Sequence, residues 1–443
     1  MEEQVTVETI AQDLGDSSAR GIAMHVRALI RAGVIPHGAR LPPVRDIAFA
    51  LGISPATVSA AWSDLRKHST LTGRGRNGIR VVEQPAVTQP TRFASAGRYG
   101  ATVLDLSFAV PDVALLPPLE AALAHGATAQ GLNSYNRVQV QPELEDVLRA
   151  QWPYQPDAML AVNGGYSAVH MALDALSLSD AVVAVEDPTP MRHLDILEHL
   201  GAIIVPVTSD EQGPRVDALA RTMEKRPAAF LFQPRLNSVT GNELTPTRLR
   251  ELGDVLAAAD TAIIEDDGLG HLSANSPQSL GTRFRDRTIH ILSFAKPYGP
   301  DLRLAVLAGN ADLVAQVRAY RSFNSGWTSR ILQSAAAWLL RDQQTAEAVA
   351  RTKEIYTERN RALCDALRSQ GSTHRLGAGL ATWMNVSEES FAMITLAAHG
   401  IAVMPGSRMS LRSEHHIRVA TGIISQDYER IAHALTLACG PIV

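Results

Sequence analysis

Cysteine is nearly absent: Cys364 and Cys439 are the only two in 443 residues. Two thiols exclude a disulfide framework and any cysteine-rich metal site. No apolar run approaches the roughly 20 residues that a membrane-spanning helix requires. The start, Met1-Glu2-Glu3-Gln4, lacks the basic residues and the apolar stretch of a secretion signal. The polar excess of a disordered chain is missing too, because 46% of the residues are apolar, an ordinary globular fraction. These absences predict a soluble cytoplasmic protein without membrane contact. Its length predicts two or three domains at roughly 100–200 residues each.

What is present is an uneven charge. The chain carries 41 Lys and Arg against 45 Asp and Glu, a net −4. Residues 17–82 hold ten basic residues (Arg20, Arg27, Arg31, Arg40, Arg45, Arg66, Lys67, Arg74, Arg76, Arg80) and two acids, Asp46 and Asp64. A small basic block on an acidic body predicts one part that meets a polyanion and another that does not.

The basic block reads as three helices and a hairpin. Ile22, Val26, Leu29 and Ile30 share one helical face, which Gly33 to Gly38 ends. A second helix runs from Pro42 to Leu51, with Gly52 after it. Ser54 caps a third, which extends to about Lys67. Gly73, Gly75 and Gly78 place a tight hairpin within 71–82. The pattern is a winged helix-turn-helix spanning 1–82. Residues 83–102 lack apolar periodicity and read as a linker.

From 103 to 443 the pattern is α/β. Strand-like runs end at 162, 185, 207, 232, 265 and 293, mostly with helical patterns between them, which argues for a largely parallel sheet. The runs 288–293 and 302–307 are too close for a crossover helix, so that pair should be antiparallel. Helical segments after about 330 are expected to form a second, smaller subdomain. Ligands bind at the carboxyl ends of strands in such sheets.

Three of those ends carry chemistry. In Ser293-Phe294-Ala295-Lys296, a lysine just past a buried strand is partly desolvated, which favours the neutral amine that forms Schiff bases. Ser293 and Arg303 can both reach a phosphate beside it. In Ile263-Ile264-Glu265-Asp266-Asp267, adjacent acids at a strand end demand a positive partner, such as a protonated pyridine nitrogen. His271 is the one nearby histidine, so no metal is expected. In Asn163-Gly164-Gly165-Tyr166-Ser167, glycines between a strand and a helix leave backbone N–H groups free for a phosphate. Trp62, Cys364 and the pair His415-His416 read as packing or turn residues.

In order and spacing these elements resemble the fold-type I pyridoxal-phosphate enzymes of the aspartate-aminotransferase group. The resemblance extends to Phe108-Ala109-Val110-Pro111-Asp112, Gly379-Leu380-Ala381-Thr382-Trp383 and His416-Ile417-Arg418-Val419. The basic block resembles the GntR-type winged helix through Gly38-Ala39-Arg40-Leu41-Pro42-Pro43-Val44-Arg45-Asp46-Ile47-Ala48 and Gly52-Ile53-Ser54-Pro55-Ala56-Thr57-Val58. The two halves in this order resemble the MocR family of bacterial transcriptional regulators.

The resemblance implies that Lys296 holds pyridoxal phosphate covalently, that Asp266 pairs with the pyridine nitrogen, and that Gly165, Tyr166, Ser293 and Arg303 bind the phosphate. It implies that Tyr135 reaches the phosphate of a neighbouring subunit and that Arg418 pairs with the carboxylate of an amino-compound effector. A homodimer arranged head to tail would meet double-stranded DNA at an operator with two half-sites. Arg40, Arg45, Ser54, Thr57, Ser59, Lys67, Arg74 and Arg76 would face the nucleic acid, the third helix in the major groove and the wing on the backbone or minor groove.

Three positions depart from the family pattern. Ser238 stands where an asparagine usually contacts the pyridine hydroxyl, with Asn237 adjacent. Gly268 replaces a tyrosine, and Pro190 replaces an aromatic that stacks on the ring. These losses favour a ligand-responsive regulator over a working aminotransferase with an accessory DNA module. The retained Lys296, Asp266 and Arg303 disfavour a scaffold that has lost both ligands.

Overall fold

In the computed structural model of the chain, residues 5–67, 70–73, 78–82, 90, 92, 100, 102–323, 325–375, 377–412 and 415–440 are described. Contacts divide the chain into two units, 1–89 and 90–443, so the division falls inside the segment with linker composition.

The first unit follows its caps. The helix Ala19–Arg31 starts at Ser18, whose Oγ accepts from the Gly21 N–H. The next helix is Val44–Leu51 and stops at Gly52, which takes the left-handed φ of 63°. It begins two residues later than the sequence suggests, because Pro42 and Pro43 precede it in non-helical backbone. Ser54 Oγ accepts from the Thr57 N–H at 3.2 Å and opens the helix Pro55–Lys67. A short helix Val7–Ala11 adds the buried Ile10. Strands β1 (Leu71–Thr72) and β2 (Arg80–Val81) pair antiparallel as the hairpin. The apolar faces meet around Ile22, Val26, Ile47, Val58, Trp62 and Leu65. Each such burial contributes on the order of 1.5–3 kcal/mol.

The second unit holds two sheets. Its strands are β3 (Leu104–Leu106), β4 (Ala158–Val162), β5 (Val182–Asp187), β6 (Ile203–Asp210), β7 (Gly213–Pro214), β8 (Ala229–Phe232), β9 (Ala262–Asp267), β10 (Thr288–Ser293), β11 (Ala305–Gly309), β12 (Ala381–Asn385), β13 (Ile401–Pro405) and β14 (His416–Ala420). The large sheet has the order β4-β11-β10-β9-β8-β5-β6-β7. The β10-β9-β8-β5-β6 run is parallel throughout. The strand β11 is antiparallel to both β10 and β4, as the short connection requires. It starts at Ala305 rather than 302, because Arg303 has φ 45° and cannot continue a strand.

The smaller subdomain is not made of the late helices alone. It is built on a four-stranded sheet, β12-β14-β13-β3, whose edge strand β3 comes from the start of the unit. The helix Arg330–Arg341 belongs instead to the large sheet: Ala335, Ala336, Ala337 and Leu339 bury against Leu292, Phe294 and Val306. Among the described residues, no helix is long and apolar enough to cross a membrane.

Candidate functional site

Register brings three sequence motifs to one edge. Ser293 lies opposite Ala305, and Ala305 opposite Val162. The segments leaving these residues therefore converge: Gly164-Gly165 after β4, Lys296 after β10 and Arg303 before β11. A Cβ added at Gly165 would come within 3.2 Å of Ser293 Cβ and 3.3 Å of its Oγ. A Cβ at Gly164, where φ is 99°, would come within 3.6 Å of the Arg303 guanidinium. Glycine is needed at 164 for its backbone and at 165 for the close approach. The helix Gly165–Ala175 starts here with its N-terminus toward Ser293 and Arg303. Free N–H groups, a hydroxyl and a guanidinium make a donor set suited to a phosphate.

Lys296 is half-buried on the short helix Ala295–Tyr298, and its Nζ donates to the Ala109 carbonyl at 2.6 Å. Burial first, and the positive Arg418 second, push its pKa down to about 8. Arg418 lies on β14, 6% exposed, donating to the Ser107 carbonyl, and its Nε has no partner among the described residues. Burial lowers its pKa to about 10. The residues preceding and following the large sheet thus close over Lys296 from the small subdomain.

Strand alternation separates the three acids of β9. Glu265 accepts from Ser279 Oγ, from the Leu280 N–H and from His290 Nδ1. Asp267 holds Arg235 through three hydrogen bonds and lies 3.4 Å from His290. Asp266 alone turns the other way, 5% exposed, with Oδ2 3.0 Å from His193 Nε2. Thr189 Oγ1 lies 3.0 Å from His193 Nδ1. Gln233 Nε2 donates to Asp266 Oδ2 at 3.4 Å, while its Oε1 accepts from Ser238 N and Oγ. Sequence reasoning misses His193 and Gln233 as site residues. The signal for His193 is its place three residues after Pro190, where a ring contact is sought; that for Gln233 is its place directly after a strand end.

Other predicted residues are placed as follows. Tyr166 sets its ring edge-on to His193 at 5.9 Å. Asn237 is engaged in its own loop, accepting from Val239 N and Thr240 N and donating to the Pro188 carbonyl. Its amide is therefore not turned to a ring, and Ser238 is tied to Gln233. Tyr135 is 87% exposed, its ring against Trp327 at 5.9 Å, and makes no described contact with the cradle of its own chain. A separate cavity of about 1290 Å3 is lined by Asp187, Thr240, Trp383 and His416, and none of Lys296, Asp266, Ser293 or Arg303 lines it.

On the first unit, Arg45 is exposed at the start of the helix Val44–Leu51, and Ser54 and Ser59 are exposed at and after the turn that follows it. Thr57 is half-buried, and its hydroxyl lies 2.9 Å from Ser54 Oγ within the cap. Arg40 forms a bridge with Arg80 and lies against Gly78, where an added Cβ would be 2.7 Å from its Nε. Arg74, Arg76 and the side chain of Lys67 lie outside the described residues.

Residues 101–435 match "Aminotransferase class I and II", and residues 18–81 match "Bacterial regulatory proteins, gntR family". The chain belongs to the aminotransferase class I and II family. With the GntR-type domain in front, it is a MocR-type regulator by architecture. The vitamin B6 salvage pathway transcriptional repressor PtsJ of Salmonella typhimurium is 29% identical over 405 residues, covering 90% of this chain and 93% of that protein. The probable rhizopine catabolism regulatory protein MocR of Rhizobium meliloti is 25% identical, covering 84% of this chain and 80% of that protein. The α-aminoadipate aminotransferase LysN of Thermus thermophilus superposes with a TM-score of 0.68 at 19% identity, covering 76% of this chain and 93% of its own. Members of the aminotransferase family bind pyridoxal phosphate. Among the described residues, those at the site fit that group: an amine without a carboxylate partner, a phosphate donor set, and one buried carboxylate turned inward. When bound, pyridoxal phosphate supplies an electrophilic carbon and an electron-withdrawing ring.

Proposed function

We propose that this chain is a cytoplasmic, homodimeric transcriptional regulator whose DNA binding responds to pyridoxal phosphate or to an amino compound joined to it. One observation carries the reading: a lysine with lowered pKa, a phosphate donor set and a solitary inward carboxylate stand together in a chain that begins with a GntR-type winged helix. Lys296 would hold pyridoxal phosphate covalently, Gly165, Ser293 and Arg303 would hold its phosphate, and Asp266, with His193 and Gln233 positioning it, would pair with the ring nitrogen. Arg418 offers a guanidinium to an effector carboxylate.

Turnover is poor in this reading. Pro190 and Gly268 give the ring no aromatic contact, and the amides of Gln233 and Asn237 are engaged with protein groups. Each missing contact costs on the order of 1 kcal/mol or more.

The coupling route is also a proposal. Arg92, in the stretch of linker composition that opens the second unit, is fastened to the helix Met191–His199: its N–H donates to Asp195 Oδ1 at 3.2 Å and its guanidinium to Glu198 at 2.6 Å. The same helix carries His193 against Asp266. A shift of Asp266 on cofactor binding can thus reach the linker through one rigid element.

The test is DNA binding to the promoter region beside its own gene, with and without pyridoxal phosphate. A change in affinity or footprint is expected. Efficient multiple turnover between amino acids and keto acids, with DNA affinity indifferent to the cofactor, would favour the enzyme reading instead.

A further inference from the structure

Three arginines converge on a cavity of about 330 Å3 beside β4, the first strand in the order of the large sheet. Arg137, Gln139, Leu160, Arg318, Arg321 and Ser322 are among its lining residues, and none of the lining residues is acidic. Among the described residues, none of the three arginines takes part in an ion pair. Arg321 is 2% exposed. Its terminal nitrogens donate to the Ala161 carbonyl and to Thr328 Oγ1, and its Nε has no partner. Burial pushes its pKa down to about 10. Arg137 arrives from a different element, its Nε 4.0 Å from where a Cβ on Gly326 would lie.

Arg318 and Arg321 sit in the last turn of the helix Ala311–Arg321, where cations offset the negative end of a helix. That accounts for two basic residues on one helix. It does not account for the third from another segment, nor for burying one without a counter-charge, which costs stability.

We infer that this cavity binds a small dianion, a phosphate or a dicarboxylate, between the guanidinium groups of Arg137, Arg318 and Arg321. Guanidinium groups pair bidentately with either chemistry, and the volume lies at the small end of ligand sites. None of the cradle residues lines the cavity, so the inference stands apart from the function proposed above.

The test uses the full chain carrying Arg303→Gln, which removes the cradle's guanidinium so that phosphate bound there does not mask the count. Inorganic phosphate and, separately, succinate are titrated by calorimetry at fixed low ionic strength. One saturable anion per chain whose uptake depends on Arg137 and Arg318 is expected, and the tighter of the two identifies the ligand chemistry. Adding Arg318→Gln or Arg137→Gln should weaken that binding by about tenfold or more. Both residues are exposed, so the fold should survive, and circular dichroism checks it. The inference is overturned if the Arg303→Gln chain takes up neither anion, or if both added substitutions cost less than that factor.

Discussion

At pH 7 a lysine with a pKa near 8 has a neutral fraction about 300 times that of an ordinary lysine. Lys296 should therefore combine with pyridoxal phosphate with an apparent midpoint near pH 8, the value set by burial and by Arg418. The measurement is the visible absorbance band against pH, fixed to Lys296 by borohydride. Lys296→Ala should show no band, and Arg418→Gln should raise the midpoint. A midpoint near 10.5 would contradict the desolvated cleft. Lys296, Ser293, Arg303 and Gly165 were legible because strand ends, spacing and glycine need no knowledge of neighbours. His193 and Gln233 were not: each acts through a contact 33 or more residues away in sequence.

Strand and helix geometry carry two further outcomes. On β9 the alternation of side chains sends Glu265 and Asp267 to His290 and leaves Asp266 for the cleft. Burial alone would lower the His290 pKa, but its bonds to Asp267 and Glu265 outweigh that and raise it to about 9. A raised pKa means the folded state holds the proton more tightly than the unfolded one. The stabilisation is complete below about pH 6.5, the unfolded value, and is lost as pH rises through about 9. The difference in Tm between the wild type and His290→Gln should therefore shrink from pH 6.5 to 9.5; a constant difference would refute the charge assignment. On the helix Pro55–Lys67, Ser54→Ala removes the cap and should cost about 1 kcal/mol in denaturant unfolding of the first unit. Arg45→Ala should weaken operator binding and lower its salt slope by about one unit if Arg45 meets a phosphate.

For the whole molecule, the division at 89/90 predicts that residues 90–443 fold and bind the cofactor alone while losing operator binding. Retained operator binding after that truncation would refute the domain reading. Arg92→Ala should leave the cofactor band and cofactor-free DNA affinity near wild type, yet cut the effect of pyridoxal phosphate on DNA affinity. Coupling of this kind is typically about 1–3 kcal/mol and reciprocal, so operator DNA should shift cofactor affinity by the same factor. Additive binding energies would mean uncoupled units.

By itself the sequence determined the winged helix, its cap at Ser54, the parallel sheet with one antiparallel strand, and the motifs at the strand ends. These follow from local periodicity, turn chemistry and connection length, which a short window contains. The resemblance singled out Asp266 among the acids of β9, but only the tertiary structure gave the reason it faces the cleft, because neighbouring strands and the packed His290 select the pleat face. It alone placed the helix Arg330–Arg341 on the large sheet and β3 in the small one, since those choices depend on which distant apolar face is available. It alone brought Arg137 beside Arg318 and Arg321, an association of charge with no trace in sequence spacing.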